Sequence, residues 1–181
     1  MRARRGAIII AIVLIAVVFL GVLAVSYNGL VANQQAVLAQ WAQVENQYQR
    51  KIDLIPRLVN LTSQYMQFER STLLNITALR TQWQNATTIG ARVNLSTQLD
   101  RQLILLVATY ENYPELQSVG LVAGLMDELA GTENRIAVER GRFNDDVRTY
   151  NTRLQSFPDA LAGRVFGFQP YDYYDPFPGG P

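Results

Sequence analysis

LVAGLMDELAGTENRIAVERGRFNDDVRTYNTRL, running from Leu121 to Leu154, decides the fold. Leu121, Leu125, Leu129, Thr132, Ile136, Glu139, Phe143, Val147, Tyr150 and Leu154 recur in it at steps of three and four. That is the period of one face of an α-helix, not the alternation of a strand. Phe157-Pro158 ends the pattern, because a residue before proline avoids helical geometry. A stripe this long has to be buried against other helices.

Three partners lie upstream. Val37, Trp41, Val44, Tyr48, Ile52 and Ile55 form the first stripe, and Asp53-Leu-Ile-Pro56 reads as a corner, since proline inside a helix removes a hydrogen bond and crowds the preceding turn. Val59, Met66, Leu73, Ile76, Leu79 and Trp83 form the second, ending near Asn85 to Gly90. Val93, Leu99, Leu103, Leu106 and Tyr110 form the third, which stops before Tyr113-Pro114. Short connections between four helices imply an all-α, antiparallel, up-down four-helix bundle.

Further upstream, Ala7 to Val25 holds 19 residues with no charge, enough to cross roughly 28 Å of hydrocarbon. A surface helix would need a polar face, and this one has none. A cleaved signal peptide is the competing reading, with Ala24-Val25-Ser26 as small residues, but the apolar run exceeds the usual signal core. Residues 1–6 are then a basic N-terminus, 7–26 a transmembrane anchor, 27–157 the helical domain and 158–181 a tail. With no proline before Pro56, anchor and first domain helix should be nearly continuous, on the order of 50 residues and about 75 Å. Arg2, Arg4 and Arg5 precede the run and no basic residue follows it until Arg50, so the positive-inside bias places the N-terminus in the cytoplasm and the domain outside a cell membrane crossed once.

Asn60-Leu-Thr62, Asn75-Ile-Thr77, Asn85-Ala-Thr87 and Asn94-Leu-Ser96 are N-glycosylation sequons. With 11 Asn and 17 Ser plus Thr in 181 residues, chance supplies roughly one. Glycan attachment and simple decoration of a solvated helix face weigh evenly. The tail, with Phe166-Gly-Phe168-Gln-Pro170-Tyr-Asp-Tyr-Tyr174, is expected to be irregular beyond a short turn at Asp159–Gly163, its aromatics either packing on the bundle's end or meeting the bilayer surface.

The chain contains no Cys and no His. Disulfides, thiolate chemistry, the common zinc sites and the Glu-x-x-His pairs of di-iron bundles are thereby excluded, and no cofactor is expected. Removing Arg2, Arg4 and Arg5 from the 16 basic residues leaves 13 against 15 acidic ones, no footprint for nucleic acid. Lys51 is the only lysine.

Tyr27-Asn28-x-Leu30-Val31, Trp41-Ala-Gln-Val44-Glu45, Asp53-Leu-Ile-Pro56-Arg-Leu58-Val59, Glu69, Glu111-Asn-Tyr113-Pro114-Glu-Leu116, Glu133-Asn134-Arg-Ile136-Ala137, Arg140, Phe143-Asn144, Tyr150-Asn151 and Phe157-Pro158 occur in that order. Together they resemble the LemA family from Tyr27 to about Phe168, with departures at Arg57, Phe143 and Tyr173-Tyr174. The resemblance implies a single-pass membrane protein with a helical bundle and no established catalytic activity; one branch of that family is associated with magnetosome membranes.

Glu133, Arg140, Asn144 and Asn151 lie along one flank of the last helix, and Arg50, Asp53, Glu69 and Glu111 supply partners on others. A structural polar network is the favoured reading, ahead of a binding groove and of catalysis. The expected function is a non-enzymatic, membrane-tethered interaction or scaffolding protein. Its partners would be the lipid bilayer, copies of itself or an unidentified protein. A ligand- or ion-sensing bundle is the alternative.

Overall fold

The structure, a computed structural model, describes residues 2–65, 70–112 and 120–174. Among the described residues five helices follow one another: α1 (Arg2–Tyr65), α2 (Arg70–Asn85), α3 (Ile89–Glu111), α4 (Gly120–Gln155) and α5 (Asp159–Phe166). Met66, Glu69, Tyr113-Pro114 and the closing Asp175–Pro181 fall outside the described residues.

The protein is all-α. Its apolar N-terminal run lies in α1, with Ile8 to Leu20 presenting large side chains 49–69% exposed. A row of aliphatic side chains bare to water would be strongly unfavourable, whereas in hydrocarbon it costs nothing and a helix satisfies every backbone group internally. Anchor and first bundle helix form one element, as expected.

The corner expected at Pro56 is not there, because α1 continues through Pro56 to Tyr65. Proline removes the N–H that would have bonded the carbonyl of Ile52. Arg80, from α2, donates its Nε–H to that carbonyl at 3.3 Å. The donor that makes the proline tolerable is thus tertiary, and Pro56 itself is exposed.

The chain divides into two compact units. The larger comprises Gln40–Phe143 and Tyr174–Pro181 and is the four-helix bundle. Trp41, Val44, Tyr48, Ile52, Ile76, Trp83, Leu99, Leu103, Leu106, Leu125, Leu129, Ile136 and Phe143 are its core, all under 9% exposed. On α4 the stripe starts one residue late: Val122 is buried and Leu121 is 65% exposed. Between α2 and α3, Thr88 caps α3 by accepting the Ala91 N–H at 3.2 Å, and Arg92 Nε–H donates to the Ala86 carbonyl at 2.9 Å, which fixes a tight antiparallel turn.

The smaller unit comprises Met1–Ala39 and Asn144–Tyr173. In place of the short turn expected there, Asp159–Phe166 is a full helix, while 168–174 have no regular secondary structure, as expected. Gly167 ends it in the left-handed region at φ 74°, where glycine carries no Cβ penalty, and the Phe168 N–H reaches back to the Gly163 carbonyl at 3.0 Å. Tyr27 meets Phe166 and Phe168 edge-on at 4.8 and 5.7 Å between ring centroids, and Tyr171 meets Tyr150 at 5.4 Å. Part of the tail therefore packs as an ordered aromatic strap.

Candidate functional site

On α1 the series Val44, Tyr48, Lys51, Ile55, Leu58 keeps helical spacing and lies wholly in the core, so Lys51 occupies an apolar position. It is fully buried. An ammonium can be held there only if partners replace its water. Two carboxylates do so: Asp100 Oδ1 of α3, at 2.5 Å, and Glu133 of α4. Asp100 Oδ2 in turn accepts from Arg140 Nη2 at 2.6 Å and from the Tyr48 hydroxyl at 2.9 Å. The Tyr48 hydroxyl shares a hydrogen bond with that of Tyr174 at 3.0 Å, and the Arg140 guanidinium lies over the Tyr174 ring at 4.4 Å and the Tyr48 ring at 5.2 Å. Two cations and two carboxylates thus cancel within one cluster that ties three helices and the tail together.

Burial sets the titration behaviour of the cluster. It pushes the Asp100 carboxyl above its ordinary range, with Lys51 pulling the other way. It also lowers the Arg140 guanidinium, against the pull of Tyr174. The Tyr174 phenol is pushed up to about 12, first by burial and further by Asp100, with Arg140 opposing. A phenol whose folded value exceeds its unfolded value contributes stability that is intact below the unfolded value, near 10, and lost as pH rises through the folded one. Between these limits stability should fall by roughly 2–3 kcal/mol. Denaturant unfolding across that range checks it: wild type should lose stability where Tyr174→Phe loses markedly less.

Beside the cluster, α3 and α4 bound an open groove of about 650 Å³. Leu103, Ile104, Val107, Met126 and Leu129 form its apolar walls, while Asp100, Glu133 and Arg140 lie at one part of its lining and Glu111 at another. Arg140 Nε is buried without a hydrogen-bond partner among the described residues. A second polar knot lies on the α2–α3 side. Trp83 Nε1 donates to Ser96 Oγ at 2.9 Å, and Arg92, ion-paired with Glu45, covers the Trp83 ring at 5.0 Å. Among the described residues no group of three or more acidic side chains converges to hold a metal ion.

Of the residues singled out in the sequence, Glu133 and Arg140 belong to the central cluster. Arg50 and Asp53 do not: both are exposed, and Asp53 accepts only a same-helix bond from Gln49 at 2.9 Å among the bonds described. Glu111 is exposed at the groove. Asn144 and Asn151 belong to the smaller unit, where Asn151 clamps the Tyr171 backbone, donating to its carbonyl at 2.7 Å and accepting its N–H at 3.0 Å. Asn60, Asn75, Asn85 and Asn94 are all exposed. Lys51, Asp100, Tyr48 and Tyr174 were not anticipated. The available signal was a lysine and an aspartate standing at core spacing, Asp100 four residues after Ser96 and three before Leu103.

The sequence profile described as LemA family matches residues 40–178. Among curated proteins, magnetosome proteins MamQ 2 and MamQ 1 of Paramagnetospirillum magneticum are each 27% identical to this chain, over 99% of it and 76% of their own length. Magnetosome protein MamQ of Magnetospirillum gryphiswaldense is 27% identical over 93% of this chain and 71% of its own.

Proposed function

The chain belongs to the LemA family, and from that premise we propose a non-enzymatic, membrane-tethered interaction protein whose bundle offers the α3–α4 groove to a protein partner or a second copy. The observation that carries this reading is the pairing of the bundle's central charges: Lys51, Asp100, Glu133 and Arg140 neutralise one another. A general acid or base needs a proton-exchanging group free to meet a substrate, and these four are occupied with each other. The groove's walls are apolar and its polar groups few, which favours binding over chemistry.

Arg2, Arg4 and Arg5 ahead of the apolar run support a cytoplasmic N-terminus with the bundle on the other side. Because the chain has no cysteine, single Ala3→Cys and Asn75→Cys variants report topology directly. A membrane-impermeant thiol reagent on intact cells should label the second and spare the first. As for the sequons, the Ser96 hydroxyl is buried and bonded by Trp83, which favours reading Asn94 as part of a solvated helix face.

A photo-crosslinking residue at Ile104, 66% exposed in the groove, tests the interaction reading in intact membranes. A discrete homo-oligomeric or heteromeric adduct is expected; a chain that stays monomeric at native density counts against it. The groove volume also falls in the range of small-molecule sites, roughly 300–1,000 Å³, so a ligand-sensing module is the second reading. A small molecule retained by the full chain in native mass spectrometry and lost on Leu129→Trp would favour that one.

A further inference from the structure

We propose that α5 and the Phe157-Pro158 turn before it form a second membrane-contact element, with Phe157, Leu161 and Val165 set among the acyl chains of the leaflet that α1 crosses. Three observations within the smaller unit carry this. Leu161 and Val165, four apart on α5, share one side of it, and Phe157 lines the same groove as Leu161; Phe157, Leu161 and Val165 are 89%, 39% and 61% exposed. The opposite side packs inward at Ala162 and Gly163, which are buried, and Phe166, itself 51% exposed, meets Tyr27 of α1 edge-on.

The second observation is where this side lies. Phe157, Pro158 and Leu161 form one wall of an apolar groove of about 440 Å³ whose other wall is α1 itself, from Leu14 through Val18 and Val22 to Leu23. Those α1 residues belong to the uncharged run that spans the bilayer. At helical rise, Leu23 lies about 4–5 Å and Leu14 about 18 Å below Ser26, so the groove descends from the polar boundary to the bilayer midplane. A groove walled by a lipid-facing helix opens directly onto the acyl chains around it.

Third, the carboxylate of the segment is turned inward, while its one basic residue, Arg164, is exposed in the last turn of α5, where a long side chain can reach the headgroups. Asp159 pairs with Arg153 and takes a hydrogen bond from Ser26, which is 2% exposed. Burial alone would raise the Asp159 carboxyl, but the Ser26 and Arg153 bonds together hold it below the usual carboxylate range. The Arg153 guanidinium lies flat where α1 has Gly29, since a Cβ there would overlap it. A segment that pairs its carboxylate internally, leaves apolar side chains outside and carries an arginine beside them is built for a boundary between water and hydrocarbon.

The full chain reconstituted in vesicles of phosphatidylcholine and phosphatidylglycerol, with bromine on the acyl chains, tests this by depth-dependent quenching. Phe157→Trp and Leu161→Trp are compared with Arg148→Trp, a position 67% exposed on α4, after subtraction of the native signal from Trp41 and Trp83, which are buried in the bundle. Phe157 is nearly free of contacts, so tryptophan there displaces nothing. Bromolipid should quench both variants at least about twofold more than Arg148→Trp, and aqueous iodide should quench them less. Iodide quenching equal to that of Arg148→Trp would overturn the proposal. So would protection from both quenchers, which would put a second copy of the chain against this side instead of lipid.

Discussion

Lys51→Ala should destabilise the bundle by about 3–5 kcal/mol, the range for breaking a buried pair by removing one partner. For a chain of this size that is a fall in melting temperature of roughly 10 °C. Lys51 is fully buried between Asp100 and Glu133, so its loss opens a cavity and leaves Asp100, only 19% exposed, with one cation instead of two. Glu133, 39% exposed, can turn to water and should suffer less. The order of effects follows: Lys51→Ala largest, Arg140→Ala next because Asp100 keeps Lys51, and Glu133→Ala smallest. Thermal unfolding of the full chain in detergent, followed by circular dichroism, checks the order. Pairing Lys51→Met with Asp100→Asn should recover part of the loss, since both charges then disappear together. A Lys51→Ala variant within about 1 kcal/mol of wild type would mean that this lysine reaches water in the native state.

Trp83→Ala should cost a comparable 3–5 kcal/mol through a different physical route. The side chain is 3% exposed, stacks on Tyr48 at 5.9 Å between centroids, lies under the Arg92 guanidinium and donates to Ser96. Truncation removes the largest side chain joining α2 to α1 and α3 and leaves the buried Ser96 hydroxyl without its donor. Trp83→Phe separates these contributions. It keeps most of the volume but loses the N–H, and should cost about 1–2 kcal/mol. Equilibrium denaturant unfolding of the two variants beside wild type gives both numbers; equal losses would assign the whole effect to the hydrogen bond.

Helix identity was legible because the apolar residues keep a helical period: every position of the first stripe, from Val37 to Ile55, is buried as expected. The break at Pro56 was misread because the deciding partner, Arg80, is 24 residues away and only the fold brings it to the Ile52 carbonyl. Leu121 was assigned inward since it continues the arithmetic of α4, yet it is 65% exposed and Val122 turns in instead. In the site, Glu133 and Arg140 were legible as charges on a core-facing flank. Lys51 was not singled out, although its register, three residues after Tyr48 and four before Ile55, already placed it inside. The aromatic strap depends on contacts such as Asn151 with the Tyr171 backbone, which local patterning does not encode.

Burying the single lysine of a cysteine-free chain also decides what chemistry can reach this protein from outside. Apart from the α-amino group, its folded surface offers neither a primary amine nor a thiol. Beyond that one amine, succinimide esters, acetyl donors, ubiquitin-type conjugation and maleimides lack a target while the bundle is intact. A survey that finds neighbours by bridging lysines would pass over this chain even when it sits in contact with a partner. Amine reactivity, when it does appear, would therefore report the opening of the core rather than the neighbourhood of the surface.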